Sequence, residues 1–231
     1  MSKICAIMQP TYLPWAGYFN LINSCDFFVF LDDVQFAKQS WQNRNKILIG
    51  EKSHWLTVPV RRKRLNDKIY DVRIDDTQKW RIKHIRSIKQ SYNNHNYFEQ
   101  LRPILKLLNN TDIQYLSKLN INIIRHISNV LNINTSKFYL SSELKKTGTR
   151  SVKLLDIIKE LDCDTFLSPV GSKKYIESDM IINESGVKVV YQDYVLSDYK
   201  QKNIISHISH LSIIDIIANI GLNNCEDFVK G

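Results

Sequence analysis

The feature that most constrains this chain lies within its first 31 residues. Ile4 to Met8 and Phe27 to Leu31 are short apolar runs typical of buried strands, and Ala16 to Asn23 between them has a helical pattern. A strand, a loop, a helix and a second strand in this order open a parallel sheet, because parallel strands need a crossover connection. The sequence therefore predicts an α/β fold with a Rossmann-like, mostly parallel sheet at its core.

The rest of the sequence also contains strand and helix patterns. Segments between residues 27 and 60 have extended character with a hairpin near Gly50, which predicts an excursion from the main sheet. Helical spacing dominates residues 76–131, so we expect a mid-chain helical block. Further strands are predicted at 137–140, 164–167 and 187–191, and helices at 151–161 and 211–221. Because neither an internal repeat nor a linker composition interrupts it, residues 1–231 are predicted to form a single domain.

Composition narrows the class of protein. The 43% of apolar residues suffices for a packed core. No apolar run approaches the roughly 20 residues of a membrane span, and the N-terminus lacks the pattern of a signal peptide, so we expect a cytoplasmic protein. The four cysteines are widely scattered without a CxxC pair or a neighbouring histidine cluster. We therefore expect reduced thiols and no metal site.

The chain carries a formal charge of +9. Its densest basic run is Arg61 to Arg64, and further lysines and arginines lie on the helical segment from Lys79 to Lys89. Such residues can bind nucleic acid, a nucleotide diphosphate or an anionic membrane surface, or they can simply face water. Charge alone leaves these alternatives open.

The segment MQPTYLPWAGYF, residues 8–19, directly follows the first strand. In open parallel sheets ligands bind outside the carboxyl ends of the strands, so we expect a substrate to contact this loop. Amide and phenol groups offer hydrogen bonds, indole rings offer stacking, and a glycine permits close backbone approach. An aromatic plug over the end of the sheet is the alternative. The candidate binding residues are Gln9, Tyr12, Trp15, Gly17 and Tyr18.

A second polar segment, FLDDVQFAKQSWQNRNKI, ends the second strand. Asp32 and Asp33 are adjacent on an extended chain, so their side chains point to opposite faces and only one can enter a given pocket. One carboxylate is predicted to act as a general base or to hold an amine or sugar hydroxyls, and a structural salt-bridge corner is the alternative. The other candidates here are Gln35 for catalysis and Trp41, Asn43 and Arg44 for binding.

A third segment, FLSPVGSKKYI, offers hydroxyls and backbone N–H groups before a predicted helix, although it is not a Walker sequence. Its candidate binding residues are Ser168, Gly171, Ser172 and Tyr175. On the basic helix, Lys83 is a candidate for phosphate binding. His84 is a catalytic candidate, either as a hydrogen-bond donor to phosphate or as a proton carrier. His207 and His210 lack the spacing of a metal motif and are expected to be surface residues. No arrangement for covalent catalysis is evident.

The blocks QPTYLPWAGYFNLI, DFFVFLDDVQFAKQSWQNRNKI, WLTVPV, FLSPVGSKKYI and LSIIDIIANIG resemble the WbqC-like family of bacteria, in the family's order and over nearly the whole chain. Members occur among genes for O-antigen (lipopolysaccharide) and related polysaccharides. The resemblance implies that glycine or another acyl group is attached to an amino sugar, which forms an amide on a nucleotide-linked sugar.

The chain is also distantly similar to nucleotidyltransferases and pantoate ligases, in which an HxGH motif opens the helix after the first strand. Here Trp15-Ala16-Gly17-Tyr18 stands at that place, so both histidines are missing, while VFLDDVQF is similar to the VNPxQF segment of pantoate ligases. Because those histidines hold ATP phosphates, their absence argues against adenylation. A pre-activated donor, such as an acyl thioester or aminoacyl-tRNA, would remove the need for them.

These inferences predict an acyl or aminoacyl transferase, for example a glycyl transferase, acting on a nucleotide-linked amino sugar. Asp32 or Asp33, with Gln35, would orient or deprotonate the amine, and Arg44, Lys83 and the run from Arg61 to Arg64 would bind diphosphate. No cofactor is required beyond an activated donor, which is acyl-CoA, aminoacyl-tRNA or an acyl adenylate derived from ATP. Nucleic acid is expected only as aminoacyl-tRNA, and a homo-oligomer is compatible with the sequence. The alternatives are a catalytically inactive HxGH-fold relative that binds nucleotide or RNA, and an ATP-dependent amide ligase.

Overall fold

A computed structural model describes residues 2–61, 64, 66–202 and 204–230. Its helices and strands follow one another along the chain, with short 3-10 turns between some of them. In chain order they are β1 (Ile4–Met8), α1 (Ala16–Asn23), β2 (Phe27–Phe30), β3 (Arg44–Ile49), β4 (Lys52–Thr57), β5 (Val60–Arg61), β6 (Arg73–Ile74), α2 (Trp80–Tyr92), α3 (Arg102–Asn109), α4 (Leu116–Val130), β7 (Phe138–Leu140), α5 (Arg150–Glu160), β8 (Thr165–Ser168), α6 (Lys173–Asp179), β9 (Lys188–Tyr191) and α7 (Ile213–Lys230).

The centre of the molecule is a five-stranded sheet with the order β7-β2-β1-β8-β9. All four neighbouring pairs are parallel. This confirms the predicted Rossmann-like core. From β1 the chain first adds strands on one side, β2 and then β7, and later adds β8 and β9 on the other side. The order therefore reverses between β1 and β8, which makes their carboxyl ends a topological switch point.

Both faces of the sheet are buried, as parallel strands require. Side chains alternate along β1, so Cys5 and Ile7 face one side and Ala6 the other. The side with Cys5 packs against α5 and α6 through residues such as Ile157 and Ile176. The side with Ala6 belongs to a larger cluster that includes apolar residues of α1, α2, α3, α4 and α7.

The predicted excursion from the sheet is present. Strands β3 and β4 form an antiparallel hairpin in which Asn45 lies opposite Leu56. Gly50 adopts φ 61° in the turn, a conformation that favours glycine. A second, two-stranded antiparallel sheet joins β5 to β6.

The predicted mid-chain helical block consists of α2, α3 and α4, although two of its boundaries differ from the prediction. Residues 76–78 form a separate 3-10 turn, because Lys79 has φ 49° and interrupts the helical path before α2. Helical spacing in the sequence predicts that the third helix of the block begins at Asp112, but α4 begins at Leu116, because Ile74 N–H donates to the Gln114 carbonyl at 2.8 Å. Tertiary pairing with β6 thus keeps Gln114 extended.

The C-terminal element α7 consists of two helical parts that meet at Gly221, the predicted end of the helix. Gly221 is non-helical, with φ 81° and ψ 166°, and it kinks α7. The chain resumes a helical course because Leu222 N–H donates to Gln100 Oε1 at 2.8 Å, and Cys225 and Val229 are buried beyond the kink. Gly221 therefore ends the first helical part of α7, as predicted, and a second helical part that the sequence did not predict follows it.

Candidate functional site

A cavity of about 490 Å³ opens at the switch point of the sheet. Ile7 and Met8 of β1 and Phe166 of β8 form its base, together with Leu31 and with Leu154 of α5. Ligands of open α/β sheets bind at such a crevice, outside the carboxyl ends of the strands where the order reverses. The position of this cavity follows from the strand order.

One wall of the cavity comes from the loop after β1, where Gln9, Trp15 and Tyr18 line it. Tyr18 donates its hydroxyl hydrogen to the Gln9 carbonyl at 3.0 Å. Gln42 Nε2 donates to Gln9 Oε1 at 2.8 Å, so the Gln9 amino group keeps its own donors for a ligand. Gln42 also lines the cavity and was not among the predicted residues.

Buried asparagines fix this wall. Asn120 of α4 donates to the carbonyls of Pro10, at 3.1 Å, and of Gln42, at 2.8 Å. Asn45 of β3 donates to the Leu13 carbonyl at 2.6 Å. Because these bonds join the loop to a helix and to the hairpin, the wall is held by rigid elements.

The indole of Trp15 lies over the start of α1. A Cβ atom on Gly17 would come within 2.3 Å of that indole, so glycine is required there. His210 stacks on Trp15 with 5.3 Å between ring centroids, and its Nδ1 lies 2.8 Å from Ser209 Oγ. His210 is the only imidazole among the described residues that line the cavity.

The position of His210 follows from two backbone hydrogen bonds at the start of α7. Ile213 N–H donates to the Pro14 carbonyl at 2.8 Å, and Ser212 N–H donates to the Lys46 carbonyl at 2.9 Å. These bonds hold the preceding segment against the loop after β1. His210 was predicted to be a surface residue; it is exposed, and it also contributes to the pocket.

The opposite wall follows β8 and contains Pro169, Gly171, Ser172 and Tyr175. Tyr175 is partly exposed, as is Trp41 from the other wall, so these two rings form the mouth. Burial raises the pKa of Tyr175, which keeps its phenol neutral. Ser168 was also a candidate, but it is fully buried and does not line the cavity.

Tyr12 and His84 lie outside the cavity and contact each other. The Tyr12 hydroxyl lies 2.9 Å from His84 Nδ1, and both side chains are buried. Burial raises the pKa of Tyr12 and lowers that of His84 to about 4. Both are therefore neutral at physiological pH, and His84 does not line the cavity.

Asp33 belongs to a charged cluster at the carboxyl ends of β2 and β7. Its carboxylate accepts a hydrogen bond from Ser141 Oγ at 2.6 Å and lies 3.1 Å from Lys153 Nζ and 3.2 Å from Lys146 Nζ. Burial by itself raises the pKa of Asp33, but hydrogen bonds from Ser141, Lys153 and Lys146 outweigh it, so the pKa is lowered. The geometry is that of a salt-bridge corner.

Asp32 points elsewhere. It accepts hydrogen bonds from Ser142 N–H at 2.9 Å and Ser142 Oγ at 2.8 Å, and it lines a more open cavity of about 800 Å³ beside Tyr70 and Arg125. Neither Asp32 nor Asp33 lines the cavity at the switch point. Their predicted part in catalysis stays a prediction.

The remaining candidates lie outside the cavity. Asn43 is buried and donates to the Val58 carbonyl at 3.0 Å, and the guanidinium of Arg44 lies over the Trp55 ring at 4.1 Å. Lys83 is exposed on α2, and Gln35, also exposed, pairs with Lys68 in an isolated β-bridge. In the basic run, Arg61 forms an ion pair with Asp75, Arg64 is exposed, and Arg62 and Lys63 lie outside the described residues.

The described part of the chain contains neither a cluster of metal-ligating side chains nor a membrane-spanning helix. Within it, no group of three or more histidine, cysteine, aspartate or glutamate side chains is arranged to hold a metal ion. None of its helices combines the length and apolar character needed to cross a membrane.

Comparison with known proteins gives two matches. The model of the WbqC-like protein family matches residues 9–227. The chain is also similar to the Mycobacterium tuberculosis (strain ATCC 25618 / H37Rv) protein described as "Uncharacterized protein Rv1507c", with 31% identity over 227 residues, which cover 96% of this chain and 95% of the relative. No solved structure matches the chain.

Proposed function

The chain belongs to the WbqC-like protein family, and we propose that it is a biosynthetic enzyme that forms an amide on a nucleotide-linked amino sugar. The acyl or aminoacyl group, for example glycyl, comes from an activated donor, and the product serves the synthesis of surface polysaccharide. The observation that carries this proposal is the cavity at the switch point, with its aromatic walls, its free amide donors and one imidazole.

The size and the side chains of the cavity at the switch point are compatible with binding of a sugar. The volume of about 490 Å³ lies within the range of roughly 300–1,000 Å³ that is usual for small-molecule sites. No lysine, arginine, aspartate or glutamate is among the described residues that line it. Indole and phenol rings can pack on the faces of a sugar, while amide and hydroxyl groups bond its hydroxyls.

His210 and Gln9 supply the chemistry. An amine attacks a carbonyl only as the neutral base, and the imidazole of His210 accepts the proton that the amine loses on attack. The Gln9 amino group donates to the acyl oxygen as negative charge develops on it. The C–N bond forms, the bond between the acyl carbon and its leaving sulfur or oxygen breaks, and His210 returns the proton to the leaving group.

The start of α1 favours a pre-activated donor over ATP. Trp15 and Tyr18 occupy the places of the two histidines that would hold ATP phosphates, and the Trp15 indole lies against Gly17. Carbon atoms thus cover the helix N-terminus, which would otherwise attract a phosphate. Acyl-CoA and aminoacyl-tRNA are the donors that this arrangement supports.

A thermal-shift panel separates this proposal from the alternative of a nucleotide- or RNA-binding protein without activity. The panel contains uridine- and thymidine-diphosphate amino sugars, the free nucleotides, ATP and tRNA. We expect selective stabilisation by one nucleotide-linked amino sugar, which at 100 times its Kd adds about 2.7 kcal/mol to the free energy of unfolding. Stabilisation by every polyanion, abolished by salt, would favour the binding protein instead.

Turnover is then followed by mass spectrometry. The stabilising amino sugar is incubated with an acyl-CoA or an aminoacyl-tRNA, and the amide product is identified by the mass of the added group. Product that forms only when ATP and the free acid are supplied would support the amide ligase.

A further inference from the structure

Two exposed indoles contact each other, and one of them lines the cavity. Trp41 and Trp55 contact each other with 5.2 Å between ring centroids and an interplanar angle of 46°, and they are 48% and 42% exposed. Trp41 precedes β3 and lines the cavity, while Trp55 lies on β4. The pair therefore extends the aromatic wall of the cavity onto the outer surface of the hairpin.

Two cations lie close to the indole ring of Trp55. The guanidinium of Arg44 is 4.1 Å from the centroid of the Trp55 ring, and Lys46 Nζ is 5.0 Å from it. Lys46 is directly opposite Trp55 in the hairpin, and Arg44 precedes it by two residues, so all three share one face of the β-ribbon. The hairpin thus presents both charges on the face that carries Trp55, whose ring contacts Trp41 of the cavity lining.

Within the described part of the chain, neither cation has an acidic partner. No ion pair joins Arg44 or Lys46 to a carboxylate there, and Arg44 Nε is buried without a hydrogen-bond partner. An aromatic surface with two uncompensated positive charges is complementary to an aromatic ring that carries phosphate, because arginine binds phosphate and indole stacks on a base.

The cavity itself cannot hold a diphosphate by charge, because its described lining contains no lysine or arginine. Arg44 and Lys46 of the hairpin lie on Trp55, which contacts Trp41 of the cavity lining. A nucleotide-linked sugar would therefore place its phosphates outside the cavity and its sugar inside it.

We propose that Trp41, Trp55, Arg44 and Lys46 form a nucleoside-diphosphate subsite at the mouth of the cavity. The base stacks on the exposed indole surface, and the diphosphate contacts Arg44 and Lys46. The placement of the sugar inside the cavity rests on the proposed function, whereas the binding of a nucleoside diphosphate at this subsite does not.

The test is calorimetric titration of the full chain with uridine diphosphate and with thymidine diphosphate. We expect Trp55→Ala and Lys46→Ala each to weaken binding about tenfold, since stacking and charge each contribute. Lys52→Ala is the matched control, because Lys52 lies on the opposite face of the same hairpin and its loss removes the same charge. Trp55→Phe keeps a ring for stacking and is expected to retain most of the affinity, which separates stacking from any loss of folding.

Equal affinity in wild type, Trp55→Ala and Lys46→Ala would overturn the subsite. So would binding of oligouridylate that strengthens with its length while the free diphosphates do not bind, because that result assigns the surface to single-stranded nucleic acid. The two proposals fail separately. If the diphosphates bind through Trp55 and Lys46 but no amide forms, the subsite is supported and the proposed reaction is contradicted. If the amide forms while these variants keep the affinity of the wild type for the diphosphates, the reaction is supported and the subsite is contradicted.

Discussion

At the scale of single residues, the proposed amide-forming reaction depends on His210. This side chain lies against Trp15 in the cavity, far along the chain from Asp32 and Asp33, the two carboxylates that the sequence suggested. We expect His210→Gln to lower kcat by roughly 10²- to 10⁴-fold, as is usual for loss of a general base, with little change in nucleotide affinity. Steady-state kinetics and calorimetry measure the two effects. His126→Gln, on α4 outside the cavity, is the control, and an equal loss there would contradict the assignment.

His84 makes the stability of the protein depend on pH. Burial lowers its pKa from 6.5 to about 4, so between these values the unfolded chain binds more protons than the folded one. The free energy of unfolding therefore falls as pH decreases from 6.5 to about 4, by on the order of 3 kcal/mol from this group. Urea titrations of wild type and His84→Gln at pH 7 and pH 4 give the difference. A variant that loses as much stability as the wild type would contradict this role.

The candidate residues show what local sequence can and cannot predict. Gln9 and Ser172 line the cavity because they follow strand ends, a position that periodicity reveals. Ser168 and Tyr12 also lie near strand ends, but their side chains point into the core, and side-chain direction depends on packing that the sequence does not display. No local sequence pattern identifies His210 as a cavity residue, because hydrogen bonds to residues far away in sequence, at the start of α7, determine its position.

At the scale of elements, the cluster around Asp33 joins the end of β2 to α5. Asp33→Asn would leave Lys146 and Lys153 largely buried without their counter-ion, so we expect a loss of about 3–5 kcal/mol in the free energy of unfolding. Denaturant titration measures it. Asp162→Asn removes an exposed ion pair with Lys3 and is expected to have no measurable effect. A variant of Asp33 that is fully stable yet inactive would instead support the carboxylate as the general base.

The kink in α7 gives a second prediction for an element. Gly221 has φ 81° and ψ 166°, a region that is nearly restricted to glycine, and a Cβ atom there would lie 2.7 Å from Tyr97 Cδ1. Gly186, with φ 84°, has nothing within 4 Å of such a Cβ atom. We expect Gly186→Ala to cost about 1–2 kcal/mol and Gly221→Ala about 1–3 kcal/mol more, measured by denaturant titration. Equal costs would show that Tyr97 moves aside freely.

The elements themselves were largely predictable. Apolar periodicity located the strands of the central sheet, and α1 matches its predicted range of Ala16–Asn23. The differences arise where tertiary contacts override the local pattern. Pairing with β6 moves the start of α4 to Leu116, and Leu222 N–H donates to Gln100 where the second helical part of α7 follows Gly221. Such partners lie far away in sequence, so a local pattern cannot show them.

At the scale of the whole molecule, strand order creates the site. The sequence predicted a parallel sheet but not that β8 would pair with β1, although this pairing brings the loops at residues 9–18 and 169–175 to the two sides of one cavity. The basic residues behind the net charge of +9 are absent from the described lining of the cavity. Two of them, Arg44 and Lys46, lie on the neighbouring hairpin beside Trp55. A cavity with an uncharged described lining therefore lies next to a hairpin surface that carries two cations and an exposed indole.

A crystal structure of the protein with a uridine- or thymidine-diphosphate amino sugar tests the central claim most directly. We expect the sugar in the cavity at the carboxyl ends of β1 and β8, with its amine within hydrogen-bond distance of His210 and its diphosphate beside Arg44. The claim is contradicted if the ligand instead occupies the cavity beside Asp32, or if the cavity at the switch point stays empty at a ligand concentration that stabilises the protein.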